Sequence, residues 1–490
     1  MTGISTEERN RRMRADNPWW REPDGIGWKD YPRRAYFDRF YDLVRMTEFN
    51  RAIVLMGPRR VGKTVMSYQA IAKMIDEGVN PKNILYVPLD HPIYAGMFLE
   101  HILRAFVELN RIPQGERVYA FFDEIQYLQN WEVHLKTLVD ACPQHRFVAT
   151  GSSAAALKLK SIESGAGRFT DFILPPLTFH EYLKFAGKGR GLLNRYPGSA
   201  LNRGKAMESI EEINGHFINY LNSGGYPESV LSGETVKDPE EFIRSDIVER
   251  VLLKDLPSLY GVSDIPELNS LFTAIARHTG QEISLTALAK GAKVTKATIA
   301  KYLQYLEAAF LVRRVHRVDN NIRRFKRDHT FKVYLTNPSM YAALFGGVEE
   351  KDTAVLGRLA ETAVFSHLFH ILKGLDVPYY SRWKGGEVDL VEMGDAGLKP
   401  AGAIEIKWSD RPFENPAEIR GLLDFAGRHG ITGEGNVMCL TKSKYGSKSY
   451  KKGVVTFVPV SLFCFEMGEI VNAGEFKKSL TVLREGAQRY

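Results

Sequence analysis

Short unbroken apolar runs alternate with longer amphipathic stretches through the first third of the chain. Ala52-Ile53-Val54-Leu55-Met56, Asn83-Ile84-Leu85-Tyr86-Val87, Val118-Tyr119-Ala120-Phe121-Phe122, Arg146-Phe147-Val148-Ala149 and the segment 170–174 read as buried strands, with helices in the intervals. Strand and helix in alternation predict a parallel sheet covered on both faces, with any ligand at the carboxyl ends of the strands. Before this region, residues 1–48 form a leader whose Trp19, Trp20 and Trp28 are too apolar for a loose tail and predict packing on the neighbouring domain. The pattern then turns helical from about 205 to 265, broken at Ser223-Gly224-Gly225-Tyr226-Pro227. Between 267 and 335 come a helix, a second helix at 287–290, a turn at 291–295, an amphipathic helix at 296–308 and a strand with a basic return. That order predicts a helix-turn-helix with a β-hairpin, a winged helix. The last segment predicts a helix at 353–373, strands at 379–383, 387–392 and 402–408, a helix at 416–428 and a strand at 436–440.

The loop after the first strand carries chemistry. Gly57-Pro58-Arg59-Arg60-Val61-Gly62-Lys63-Thr64 fits G-x-x-x-x-G-K-[ST] in the required strand-loop-helix context. Backbone N–H groups of such a loop point at phosphates, the helix N-terminus adds positive dipole, Lys63 reaches the terminal phosphates and Thr64 ligates Mg²⁺. The strand at 118–122 ends in Asp123-Glu124, where Asp123 would hold Mg²⁺ through water and Glu124 would orient or deprotonate the attacking water. Two adjacent acids at a strand end are often only a solvated turn, but behind a phosphate cradle the functional reading prevails. Thr150-Gly151-Ser152-Ser153 ends a further strand, with Ser152 either sensing the γ-phosphate or capping a helix. The expected cofactors are ATP and Mg²⁺, and the expected reaction is Mg²⁺-dependent ATP hydrolysis.

A second constellation lies near the end. Glu405 and Lys407 share one face of their strand, Asp389 lies on the neighbouring strand, and Glu361 falls on a mostly apolar helix, where a carboxylate needs a partner. Asp389, Glu405 and Lys407 match the D-x(n)-E-x-K arrangement of restriction-endonuclease-like nucleases. Asp389 and Glu405, supported by Glu361, would bind Mg²⁺, with Lys407 positioning water or offsetting phosphate charge. The alternative is an exposed cross-strand pair, and whether the domain cuts stays open.

Composition narrows the class. With 490 residues, 44% hydrophobic and 25% charged, the chain is globular and too long for one core. Cys142, Cys439 and Cys464 are widely spaced, against a disulfide framework or zinc site and in keeping with a reducing cytoplasm. No apolar h-region or membrane-length run appears, so a cytoplasmic protein without a membrane partner is expected. The net charge of +8 is moderate, but Arg313, Arg314, Arg317, Arg323, Arg324, Lys326 and Arg327 cluster in the hairpin, and Lys442, Lys444, Lys448, Lys451 and Lys452 near the end. Both clusters fit a nucleic-acid surface, DNA in the first place, as well as a solvated one.

These segments together resemble the prokaryotic AAA-type P-loop ATPases that carry a C-terminal domain of unknown function 4143. The resemblance rests on the cradle, on Phe122-Asp123-Glu124-Ile125-Gln126 with Asn130-Trp131, and on Thr150-Gly151-Ser152-Ser153. It continues through Ser164-Gly165-Ala166-Gly167-Arg168, Pro176-Leu177-Thr178-Phe179-His180-Glu181-Tyr182, Gly224-Gly225-Tyr226-Pro227-Glu228, Glu387-Val388-Asp389-Leu390 and Glu405-Ile406-Lys407. It spans about residues 50–445. It implies the ATP-binding core, the winged helix and the nuclease-like domain; with the pattern read above, the expected organisation is an α/β chain with a leader (1–48), an ATPase core (49–190), a helical lid (191–265), a winged helix (266–337) and a restriction-endonuclease-like domain (338–490). Arg168 would be a second positive charge on the γ-phosphate, or else a surface salt bridge. Arg168, Arg244 or Arg250 would complete a neighbour's site if copies assemble in a ring. The first functional reading is an ATPase coupled to nucleic-acid binding and cleavage, in defence or genome maintenance. Its rival is an ATP-driven switch or scaffold whose nuclease-like domain only binds.

Overall fold

The computed structural model describes residues 5–46, 48–152, 167–187, 207–231, 238–262, 264–318, 330–371, 378–394 and 399–473. The chain is α/β and divides into two compact units, residues 1–175 and 176–490.

In the first unit the apolar runs form a five-stranded sheet: β1 (Ala52–Met56), β2 (Ile84–Pro88), β3 (Tyr119–Asp123), β4 (Arg146–Gly151) and β5 (Phe169–Ile173). The order is β2-β3-β4-β1-β5 and every pairing is parallel. Each residue of β1, β3 and β4 is buried, as expected for strands covered on both faces by the intervening helices. Because β4 lies between β1 and β3, its carboxyl end sits between the loop after β1 and the acids after β3.

The leader is part of this unit. β2 is an edge strand, and an open edge leaves backbone groups without partners. Asn17 closes it in the manner of another strand: its Nδ2 donates to Tyr86 O at 2.9 Å and its Oδ1 accepts from Tyr86 N at 2.6 Å. The indole N–H groups of Trp19 and Trp20 both donate to Ile84 O. Further along, the buried Arg146 guanidinium donates to Leu43 O at 2.8 Å and Phe49 O at 2.7 Å, fixing the exit of helix Phe37–Arg45.

The second unit holds one nine-stranded sheet in the order β13-β14-β12-β11-β10-β9-β7-β8-β6. Its strands are β6 (Glu282–Ser284), β7 (Val312–Arg317), β8 (Thr330–Leu335), β9 (Tyr379–Trp383), β10 (Gly386–Met393), β11 (Pro400–Ile406), β12 (Val437–Thr441), β13 (Gly446–Tyr450) and β14 (Gly453–Pro459). Helices Ile265–Arg277, Leu285–Ala292 and Lys296–Ala308 precede β7, in the order the pattern predicts. The hairpin strands do not stand apart: β7 pairs in parallel with β9 at His316↔Tyr379 and Arg317↔Tyr380, so 282–335 and 379–459 share a sheet. Val388, Val391, Leu422, Phe425, Val437, Cys439 and Phe457 form an apolar core under helix Arg420–His429. The sequence pattern ends its strands at 440, whereas β13, β14 and helix Val460–Asn472 come after. Helix Phe179–Phe185 opens with the anticipated capping box between Thr178 and Glu181. Among the described residues, no helix is long and apolar enough to cross a membrane.

Candidate functional site

The loop 57–64 joins β1 to helix Lys63–Asp76. Gly57 is required by a close approach, since a Cβ there would lie 2.2 Å from Leu174 O just after β5. Gly62 turns the chain into the helix at φ 94°, which an L side chain resists. Between them Pro58 and Val61 are buried, Arg59 is half-buried and Arg60 is exposed at φ 63°. The Lys63 ammonium is buried and donates to the loop's own carbonyls, Gly57 O at 3.0 Å and Pro58 O at 2.7 Å. A loop that wraps its lysine this way suits a phosphate group, which would replace those carbonyls as acceptor and offer the negative charge they lack. From the leader, Arg34 donates to Val61 O at 2.6 Å and to Pro175 O at 2.9 Å, so it braces the loop from behind.

Asp123, at the end of β3, meets the loop. Its Oδ2 accepts from Thr64 Oγ1 at 2.9 Å and from Tyr86 OH at 2.6 Å, and its Oδ1 accepts from Thr150 Oγ1. Burial first, then the Asp123 charge, hold the Tyr86 phenol far above its usual range, so it stays a donor. An all-oxygen set of carboxylate and hydroxyl beside a phosphate loop fits Mg²⁺. Glu124 comes next, in the left-handed region at φ 53°, with its N–H on Thr150 Oγ1 at 3.2 Å. A non-glycine residue there costs about 1 kcal/mol, and such strain is typically kept where a side chain must be aimed. Gln126 holds that side chain: its Nε2 donates to Glu124 Oε2 and, at 3.2 Å, to Ser152 Oγ. The structure therefore gathers Gly57 to Thr64, Asp123, Glu124 and Ser152 at the carboxyl ends of β1, β3 and β4.

Arg168 is not among them. It immediately precedes β5, and its carbonyl accepts from Ala52 N at the start of β1. In a parallel sheet that is the end remote from the loop. Its guanidinium pairs with Asp140, both side chains well exposed, which is the surface salt bridge rather than a γ-phosphate contact in its own chain.

In the second unit, Asp389 (β10), Glu405 (β11) and Glu361 (helix Thr353–Ile371) do converge, and Lys407 Nζ lies 2.7 Å from Glu405 Oε1 and 4.0 Å from Asp389 Oδ2. They do so around a residue the motif does not contain. Lys332, on β8 and 3% exposed, places its ammonium 2.7 Å from Glu387 Oε1, 3.0 Å from Glu361 Oε1 and 3.2 Å from Asp389 Oδ1. β8 and β10 are three strands apart, about 14 Å in a flat sheet, so the sheet curls to bring them together. Tyr334 OH adds a bond to Glu361 Oε1 at 2.6 Å, and Ile406 N–H donates to Asp389 Oδ2 at 3.0 Å. Burial, then Asp389, push Glu361 up to about 7 and Glu405 up to about 8. Burial works against the charged forms of Asp389 and Lys332 too. The lysines hold the Asp389 carboxyl below its usual value nonetheless, and Tyr334, Glu361, Asp389 and Glu387 hold Lys332 above its own. Among the described residues no group of three or more His, Cys, Asp or Glu is arranged to hold a metal ion. The expected metal ligands Glu361, Asp389 and Glu405 thus do not fit Mg²⁺ as they stand: an ammonium sits among them.

The basic clusters are partly consumed. Arg314 pairs with Glu307 and Arg313 is half-buried, while Arg317 is exposed. Arg323, Arg324, Lys326 and Arg327 lie outside the described residues. In the other cluster Lys442 pairs with Glu350 and Lys452 with Asp424, while Lys448 donates to Phe413 O.

Tyr86 and Lys332 are functional neighbours that the motifs do not name, while Gln126 and Glu387 stand inside quoted motifs without a role assigned there. Lys332 does carry a signal: a lysine inside the apolar strand Thr330–Leu335 needs a buried counter-charge, the same reasoning that singles out Glu361.

Comparison with known proteins divides along the same lines. A 26% identical uncharacterized protein of Haemophilus influenzae matches over 56% of this chain and 65% of its own length. An uncharacterized protein of Methanocaldococcus jannaschii is 24% identical over 54% of this chain and 56% of its own, so the chain spans less than two thirds of either relative. The Aeropyrum pernix ORC2 protein in its ADP form is similar at 15% identity and a TM-score of 0.34, covering 71% of this chain and 98% of that one. Residues 214–351 match a domain of unknown function, DUF8612, a different one from that named by the sequence resemblance. Residues 49–183, which carry the phosphate loop and both acids, match the family model of the AAA domain.

Proposed function

We propose that this chain is an Mg²⁺-dependent ATPase coupled to nucleic-acid binding. The observation that carries the reading is the convergence of Thr64, Tyr86 and Thr150 on Asp123 beside a glycine-bounded loop with a buried Lys63. In this reading the loop N–H groups and Lys63 bind the phosphates, Thr64 and Asp123 hold Mg²⁺, and Glu124, aimed by Gln126, takes a proton from the attacking water. Bound Mg²⁺ would supply charge neutralisation on the β- and γ-phosphate oxygens. The match of residues 49–183 to the AAA domain supports the same assignment. Lys63→Ala should weaken equilibrium binding of a fluorescent ATP analogue at least tenfold, and unchanged affinity would refute the site.

Residues 191–265 are assigned as a lid, 266–337 as a winged helix presenting Arg317, and 338–490 as the terminal nuclease-like domain. For that last part the non-cleaving reading is preferred over a nuclease acting in defence or genome maintenance, because Lys332 fills the carboxylate cluster. Arg168, Arg244 and Arg250, each more than 40% exposed at the side chain, are the arginines available to a neighbouring copy. The free cysteines support a cytoplasmic setting.

A further inference from the structure

We propose that Lys332 is a permanent internal counter-cation that closes the Glu361–Glu387–Asp389 cluster to divalent metals, so that the terminal domain neither binds Mg²⁺ there nor cuts nucleic acid. This rests on and deepens the non-cleaving reading of the terminal domain, and does not depend on the ATPase reading.

A lysine ammonium has three donors and no acceptor. Here it meets three carboxylate oxygens from three different side chains, at 2.7, 3.0 and 3.2 Å. Those are hydrogen-bond lengths for an ammonium, whereas Mg²⁺ draws its ligands to about 2.0–2.1 Å and Ca²⁺ to about 2.3–2.6 Å. Much of the remaining capacity of the cluster is also taken. Glu361 Oε1 receives Tyr334 OH, Asp389 Oδ2 receives the Ile406 N–H, Glu387 Oε2 faces Arg382 at 3.6 Å, and Glu405 Oε1 faces Lys407 at 2.7 Å. Glu405 Oε2 has no hydrogen-bond partner and Glu361 accepts its bonds on Oε1 alone, but a divalent cation drawn to the two remaining oxygens would sit beside the Lys332 and Lys407 ammoniums, whose charge repels it. Nor can the ammonium step aside cheaply. Lys332 is 3% exposed and its strand is held between β7 and β6, so an entering metal would strand a buried positive charge with its partners taken. By contrast Lys407, 38% exposed, can swing to water, which is the usual freedom of a lysine beside a metal site.

The test uses the nucleotide-free full chain carrying Asp123→Asn, which silences the phosphate-loop site, and Mn²⁺ as the probe, read by calorimetry and by electron paramagnetic resonance. Without a further change, no saturable Mn²⁺ site dependent on Asp389 is expected. Lys332→Met should gain one, at least tenfold tighter than any residual binding and lost again in Lys332→Met/Asp389→Asn. Mn²⁺ should raise the melting temperature of the Lys332→Met protein and leave that of its parent unchanged. Asp389-dependent Mn²⁺ binding by the chain with Lys332 in place would overturn the proposal, as would a folded Lys332→Met protein that gains no site. Should the methionine variant not fold, Lys332→Gln takes its place with the same two outcomes.

Discussion

Adding one methyl group at Gly57 tests whether the loop is a phosphate cradle whose position matters. The Cβ of Gly57→Ala would fall 2.2 Å from Leu174 O, 3.2 Å from Leu174 C and 3.3 Å from Val61 Cγ2. Ordinary contact begins near 3.4 Å, so the loop must retreat by about 1 Å. The carbonyl cannot yield instead, because Leu174 is tied to β1 through its N–H on Met56 O at 2.7 Å. Misplacing a reacting group by about 1 Å costs on the order of 10² in rate, or about 2.7 kcal/mol at 1.36 kcal/mol per decade. Steady-state phosphate release from Mg·ATP should therefore fall about a hundredfold. Gly215→Ala, where the new methyl meets nothing within 4 Å, serves as the control and should leave the rate unchanged. A Gly57→Ala protein that folds and hydrolyses ATP within threefold of the parent rate would refute the argument.

Two further outcomes concern other parts of the molecule. His367 accepts from Phe179 N on Nε2 at 2.8 Å and has Nδ1 2.7 Å from Ala363 O, and burial holds it down at about 4 against the pull of Ala363 O and Glu181. Its folded value lies below the unfolded one near 6.5, so its contribution is complete above pH 6.5 and is lost as pH falls toward 4, by roughly 3 kcal/mol. Denaturant unfolding should show that loss in the parent protein and a flatter profile in His367→Gln; identical profiles would contradict the assignment. For nucleic acid, Arg323→Glu with Arg324→Glu should lower the slope of log affinity against log salt by roughly 0.9 per duplex phosphate contact removed, and an unchanged slope would point to a protein-binding wing.

How much the sequence reveals differs sharply between the two units. Four of the five strands of the first announce themselves because each is a largely apolar run closed by a glycine, an acid or a turn, β5 with Thr170 and Asp171 being the mixed one, and all five bounds fall within two residues of the structure. Thr64 is legible because the loop motif fixes its place, and Asp123 because it ends an apolar strand behind that loop. The partner Tyr86 is not, since nothing local says that a strand tyrosine one sheet position away will turn its hydroxyl to Asp123. The leader's tryptophans signal packing, but only the structure reveals Asn17 closing the edge of β2. In the second unit, β13 reads Gly446-Ser447-Lys448-Ser449-Tyr450, with no apolar stripe to give it away, and the β7–β9 pairing joins residues more than 60 apart. The carboxylates of the D-x(n)-E-x-K pattern converge where expected, yet the motif is silent on Lys332, which reaches them only because the sheet curls.

The central claim, that Glu124 activates water at a working ATP site, is tested most directly by Glu124→Gln. That change keeps the side chain's size and its place beside Gln126 but removes the base. Single-turnover hydrolysis of bound ATP should fall at least a hundredfold while ATP affinity stays within about twofold of the parent. A Glu124→Gln protein that turns over ATP at the parent rate would contradict the account.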